Sequence, residues 1–203
     1  ITIEGIDGTG KTTQAANIVE LITMMMGSGK VLWTREPGGW TKGLLVRELL
    51  LHSELKHIHS ELYLFLIDRC EHVSGVIMPA LQEDKIVVCE RYTDSTLAYQ
   101  VWGRGLPQHK VEDLFAWSGF PVPDKTIWLD MDVSGALSRV RSRGDQDRIE
   151  SDGVEFLTRV RKGYAELHGR EPGRIKRINA EGPVEDVRER VLSEMRPLLE
   201  DLR

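Results

Sequence analysis

At 203 residues, 40% of them hydrophobic, the chain can bury a sizeable core, and α/β chains of this length commonly form one domain. Its 27 Lys and Arg fall short of its 32 Asp and Glu, and the formal net charge of -5 excludes the broad basic surface that a nucleic-acid polymer requires. Cys70 and Cys89 are too few for a disulfide framework and lie in no metal-ligand spacing, and no apolar run approaches the roughly 18 residues of a membrane span. A cytoplasmic protein with no membrane or nucleic-acid partner is expected.

Ile1 to Ile3 reads as a strand and Thr13 to Met26 as a helix. Between them, Gly5-Ile6-Asp7-Gly8-Thr9-Gly10-Lys11-Thr12 satisfies G-x-x-x-x-G-K-[ST] in the strand, loop and helix setting that the pattern requires. The glycines let successive N–H groups turn inward, making an anion nest at a positive helix end. Gly5, Ile6, Asp7, Gly8, Thr9, Gly10, Lys11, Thr12 and Thr13 are therefore candidate nucleotide ligands. Lys11 would reach the β- and γ-phosphates, and the Thr12 hydroxyl would ligate Mg2+.

After the stop at Gly27-Ser28-Gly29, Lys30 to Thr34 is predicted to be a second strand, which makes a right-handed parallel crossover. Arg35-Glu36-Pro37-Gly38-Gly39 breaks the pattern just beyond that strand's carboxyl end, the edge where open α/β sheets bind ligands. Helices are predicted over Thr41 to His52 and, in one long piece, Ile58 to Leu81. Lys85 to Cys89 is a nearly all-apolar third strand, and Cys89 is expected to be inert core. Glu90-Arg91-Tyr92-Thr93-Asp94-Ser95 leaves that strand at the same edge, with helical patterns from Ser95 and from Gln108. A fourth strand covers Lys125 to Leu129. A helix from Ser134 to Arg143 runs into the charged break Gly144-Asp145-Gln146-Asp147-Arg148. A helix from Gly153 to Leu167, a strand from Arg174 to Ile178 and an amphipathic helix from Val184 to Leu202 complete the chain. This alternation predicts an α/β fold, a three-layer α/β/α sandwich around a parallel sheet in a single domain, 1–203.

A phosphate loop alone indicates only an NTPase or a kinase. EGIDGTGKTTQ at the start, TREPGG at 34–39, ERYTDSTLAYQ at 90–100 and RVRSRGDQDRIE at 139–150 come in an order and spacing that resembles the thymidylate kinase family. The resemblance runs from the first strand to the last helix. It implies a P-loop nucleoside-monophosphate-kinase fold with a five-stranded parallel sheet, the reaction of ATP with dTMP to give ADP and dTDP, dependence on Mg2+, and a homodimer.

Phosphoryl transfer needs cations from several directions in a dry site. Arg35 and Arg91, each just past a strand end, can converge on the acceptor's phosphate as bidentate donors, and the resemblance assigns them there. Asp7 is odd beside phosphates; the family gives it the sugar 3′-hydroxyl, and bracing of the loop is the alternative. Glu90 stands where the family usually has Asp, so it either holds Mg2+ through water or forms a salt bridge with a neighbouring Arg. Phe65 and Arg69, spaced i,i+4, share a helix face; the family places them against thymine, stacking on the ring and donating to O4. Thr96, Tyr99 and Gln100 fall at the remaining base and sugar positions. The phosphate loop carries no Arg of its own, so the transition-state cation is expected from the lid, about 139–152. Arg143 is the first choice and Arg148 the second, with Arg139 beside the nucleotide. The six histidines are expected to be solvated, and Trp33, Trp40, Trp102, Trp117 and Trp128 to be core or loop anchors. A GTP-dependent switch is the rival from another class, but no Asn-Lys-x-Asp motif is present.

Overall fold

The strands are Thr2–Glu4 (β1), Val31–Arg35 (β2), Ile86–Glu90 (β3), Thr126–Asp130 (β4) and Ile175–Asn179 (β5). They form one parallel sheet in the order β2-β3-β1-β4-β5 in the computed structural model, which describes residues 1–142 and 152–200. The central β1 and β4 are buried at every position, as a sheet covered on both faces requires.

The helices are Lys11–Met26 (α1), Gly43–His52 (α2), Ile58–His72 (α3), Met78–Gln82 (α4), Thr93–Thr96 (α5), Gln108–Ser118 (α6), Val133–Arg141 (α7), Gly153–Arg170 (α8) and Val184–Glu200 (α9). The step from β1 to β2 runs across the sheet against the direction of every later step. Right-handed crossovers therefore put α1 on one face, where α9 packs against it, and α2 to α8 on the other. Ile3, Ile18, Ile127 and Leu129 belong to one fully buried cluster. Truncating such a residue, as in Ile18→Ala, costs about 2–5 kcal/mol. Among the described residues no helix is long and apolar enough to cross a membrane.

The expected boundaries hold to within a residue or two for most elements, with two differences. The long helix predicted to reach Leu81 is interrupted by a wide π turn at Val73–Ile77 before α4. Pro79 lacks an N–H and its ring crowds the carbonyl a turn before it, so the regular ladder cannot pass. A second wide turn, Leu97–Gly103, replaces the regular helix expected beyond Ser95 and buries Tyr99 and Gln100. The chain reverses its course across the sheet at β1, and the loop after β1 opens at that switch point, beside the carboxyl ends of β2 and β3.

Candidate active site

The loop from Gly5 to Gly10 lies flat because its glycines admit backbone that other residues resist. Gly8 has φ 87°, and a Cβ on it would stand 2.2 Å from the Ala136 carbonyl oxygen of α7. Loop and α7 are thus in direct contact. Lys11, the first residue of α1, turns back and donates to the carbonyls of Gly5 (3.1 Å) and Ile6 (3.0 Å) and to Asp7 Oδ1 (3.2 Å).

Arg91 comes to the same place from the end of β3. It has φ +64°, a left-handed backbone uncommon for a non-glycine residue and typical of functional sites. Its Nη2 donates to Asp7 Oδ1 at 2.6 Å and its Nη1 to the Gly5 carbonyl at 3.0 Å, while the Tyr99 ring lies 5.1 Å from the guanidinium carbon. The electrostatics follow from two cations sharing one anion. Burial and then the Arg91 charge depress Lys11 to about 8, although Asp7 pulls it upward. Burial works to raise Asp7, but Arg91 and Lys11 outweigh it and hold the carboxyl well below the usual range. Behind Arg91, fully buried Glu4 accepts from the Tyr92 amide (2.7 Å), Tyr164 (3.0 Å) and the Ser95 hydroxyl; burial and Asp94 raise its pKa.

Thr12 Oγ1 donates to Glu90 Oε2 at 2.6 Å, and Glu90 Oε1 accepts from Trp33 Nε1 at 3.1 Å. The Glu90 carboxylate thus lies beside the Thr12 hydroxyl. Two hard oxygen donors side by side at a phosphate loop fit a Mg2+ ion that takes its remaining ligands from phosphate and water. Among the described residues no cluster of three or more His, Cys, Asp or Glu forms a metal cage.

A cleft beside the loop is lined by Asp7, Glu36, Pro37, Arg47, Leu51, Phe65, Arg69, Arg91, Ser95, Thr96, Tyr99 and Gln100. It brings together Phe65, Arg69, Arg91, Thr96, Tyr99 and Gln100 as expected. Arg69 is 1% exposed, donating to Glu36 (2.7 Å) and Thr96 (3.0 Å). Gln100 donates to Glu61 at 2.9 Å, and Arg104 grips the same carboxylate at 3.1 and 3.0 Å while also reaching Asp152. Arg35 is exposed and outside the lining, because strand alternation turns Thr34 inward and Arg35 outward. The cation on that side of the cleft is Arg47 of α2, which also donates to the Pro37 carbonyl at 3.1 Å. No motif carries Arg47; its one signal is that, with Glu48, it interrupts the Leu and Val run of α2.

Other expectations shift as well. His72 is not solvated but fully buried, bonded to Glu36 and Thr34, while His168 is half-buried against the Ile175 carbonyl. Trp33 bonds the Glu90 carboxylate, while Trp40 anchors its loop on Asp68 as expected. Arg139 reaches toward the Ala180 and Gly182 carbonyls at 3.4 Å, outside the cleft lining. Arg143 and Arg148 lie outside the described residues. A larger cavity of about 780 Å³ opens at the amino ends of the strands, lined by Ile1, Met25, Lys85 and Pro121 among others. It lies at the edge opposite the one where such sheets bind ligands, and no arginine lines it among the described residues.

A phosphate loop at the switch point of a parallel sheet, with a second buried cleft fed by arginines, defines a P-loop phosphotransferase with adjoining donor and acceptor sites. The comparisons narrow this class. A family profile described as thymidylate kinase matches residues 3–191. The thymidylate kinase of Synechococcus sp. strain JA-2-3B'a(2-13) is 45% identical over 201 residues, covering 98% of this chain and 95% of the relative. That of Acinetobacter baylyi is 41% identical over 203 residues, covering 98% and 99%. The crystal structure of thymidylate kinase from Ehrlichia chaffeensis superposes with a TM-score of 0.79 at 32% identity, covering 97% of this chain and 96% of that one. The chain belongs to the thymidylate kinase family, enzymes that use ATP to phosphorylate dTMP to dTDP.

Proposed function

We propose that the whole chain works as one domain in which the Gly5 to Thr13 loop holds the phosphates of ATP and the cleft from Phe65 to Gln100 holds dTMP. The observation that carries this reading is the meeting of Lys11, Asp7 and Arg91 between the loop and the cleft, at 3.2 and 2.6 Å. Incoming phosphates replace Asp7 as partner of both cations, and the released carboxylate can accept from the sugar 3′-hydroxyl. Lys11 and Arg91 then neutralise the group in flight from two sides. Arg47 serves the acceptor phosphate in place of the outward-turned Arg35, Phe65 stacks on the base, Arg69 donates to its O4, and Thr96 and Gln100 bond its edge. Tyr99, its ring stacked against Arg91, crowds a 2′-hydroxyl and so favours deoxyribose. Arg139 serves the nucleotide, and Arg143 or Arg148 supplies the lid cation, worth about 10³ to 10⁵ in rate.

Thr12 and Glu90 would hold Mg2+, which supplies charge neutralisation across the transferred and leaving oxygens. The protein's own contribution there is orientation: Trp33 fixes one oxygen of Glu90 and Thr12 the other. A homodimer is supported by neighbouring α2 and α3, which expose Leu44, Leu45, Leu49, Tyr63 and Ile67 on adjoining surfaces. Two cysteines, neither in a disulfide, suit a reducing cytosol.

The test is a coupled ADP-release assay with ATP and Mg2+, presenting dTMP, dUMP, dCMP, dGMP, AMP and thymidine separately. A strong preference for dTMP that collapses in Arg69→Lys supports the base-site reading, and equal turnover on dCMP would overturn it. Arg148→Ala losing turnover while Arg143→Ala keeps it would move the lid role to Arg148.

A further inference from the structure

His72 is a titratable residue in the interior that none of the roles above uses. It sits on α3 with no exposed surface, one turn beyond Arg69. Its Nδ1 lies 2.9 Å from Glu36 Oε1 and its Nε2 2.6 Å from Thr34 Oγ1. An ionised carboxylate only accepts, so Nδ1 carries a hydrogen and donates to Glu36; the Thr34 hydroxyl can serve Nε2 by donating or by accepting. The second oxygen of Glu36 accepts from Arg69 Nε at 2.7 Å. A chain of hydrogen bonds therefore runs Thr34, His72, Glu36, Arg69, ending on the guanidinium that faces the cleft.

Independent features show how tightly this chain is built in. A Cβ on Gly39 would stand 2.5 Å from His72 Nε2 and 2.6 Å from Thr34 Oγ1, so the loop after β2 rests directly on that pair. Asp68, beside Arg69, accepts from the Gly38 amide at 3.0 and 3.1 Å and from Trp40 Nε1 at 2.8 Å, pinning the loop a second time. Around the guanidinium, the rings of Tyr92, Phe115 and Phe120 stand at 5.1, 5.6 and 5.8 Å. Arg69 is walled by apolar faces and steered by one carboxylate, and that carboxylate is steered by His72.

We infer that His72 is a positioning residue for base selectivity: by fixing the rotamer of Glu36 it aims the Arg69 guanidinium at the base edge of the monophosphate. The inference rests on the reading of Arg69 as the base-edge donor. Arg69 has Nε committed to Glu36 and Nη1 to Thr96, so a small rotation of Glu36 swings the whole planar fork. A misaimed fork weakens acceptance of a carbonyl at the base edge and relaxes rejection of an amino group there, because discrimination depends on aligned donors.

The experiment compares His72→Leu, His72→Asn and Thr34→Val with Arg69→Lys, reading KM and kcat for dTMP and dCMP, KM for ATP, and thermal midpoint. Asn places an amide N–H near the position of Nδ1 and can still donate to Glu36. The expected result is that His72→Leu raises KM for dTMP about 10-fold and narrows the dTMP to dCMP preference by a similar factor, with KM for ATP held. His72→Asn recovers most of both, and Thr34→Val, which keeps the imidazole, shows a smaller loss. If Arg69→Lys changes the preference but His72→Leu does not, the positioning inference falls and the base-site reading stands. If Arg69→Lys leaves the preference unchanged, the base-site reading itself falls. Loss of folding in His72→Leu shifts the decision to Thr34→Val and His72→Asn, where an unchanged preference in Thr34→Val overturns the inference.

Discussion

Thr12 and Glu90, separated by 78 positions in sequence, are joined by a 2.6 Å hydrogen bond between the start of α1 and the end of β3. A carboxylate held there by its second oxygen on Trp33 is oriented before any ligand arrives. Glu90→Gln keeps the shape and removes the charge, so the Mg2+ concentration for half-maximal velocity should rise about 10- to 100-fold. Glu90→Asp should stay close to the parent protein. A magnesium titration of initial velocity that is unchanged in Glu90→Gln would remove this residue from the metal site.

Lys11 offers a pH signature. Its folded value of about 8 lies below its ordinary 10.5, so between those values the unfolded chain binds more protons and stability rises with pH. Phosphates restore a favourable environment for the ammonium and raise its pKa again. Nucleotide binding at pH 8.5 should therefore take up most of one proton, detectable as a buffer-dependent enthalpy in calorimetry. The uptake should fade below pH 7 and vanish in Lys11→Met.

Arg91→Ala should lower kcat/KM for dTMP by at least about 10²-fold, since it removes a preorganised donor from the reacting region. Arg91→Lys should recover little, because a single ammonium lacks the two separated, coplanar Nη donors that Arg91 aims at Asp7 and at the Gly5 carbonyl. Steady-state kinetics on both variants is the check.

Arg174 makes the opposite case. It clamps Asp94 at 2.7 and 2.9 Å and adds Thr126 at 2.9 Å, away from the cleft. Arg174→Ala leaves a nearly buried carboxylate without its partner, costing about 3–5 kcal/mol. The thermal midpoint should fall by about 10 °C, with KM for both substrates unchanged in protein that remains folded.

If the α2 and α3 surface joins two copies, Leu45→Glu should shift sedimentation to the monomer at micromolar concentration. Leu45 is 68% exposed in the single chain, so the charge costs the monomer little. Unchanged sedimentation would place the dimer contact elsewhere.

The phosphate loop, the sheet and most of the cleft could be read from the sequence because their chemistry is local: a glycine pattern, an apolar strand, a motif just past a strand end. Arg47, His72 and Arg104 were not legible in this way. Their roles come from partners 10, 36 and 43 positions away, and no local pattern distinguishes a buried histidine from a solvated one. One signal was present: Glu61, Leu62, Leu66, Asp68, Arg69 and His72 form one buried stripe on α3. Charged groups at core spacing on a helix indicate that the face covers a polar cleft, and Arg69 was reached only through its motif. The π turns at 73–77 and 97–103 were missed because they add single residues to otherwise helical periodicity.

Asp7 works as a resident counter-anion. Held by both Lys11 and Arg91, it sets a threshold that any visiting anion must exceed. Chloride and other monoanions bring no more charge than the carboxylate they would displace, so the abundant salts of a cell leave the loop alone. A polyphosphate brings more charge and more acceptors, and wins the exchange. Between turnovers the same incumbent also offsets the repulsion between two clustered cations, so the empty site stays assembled for the next nucleotide.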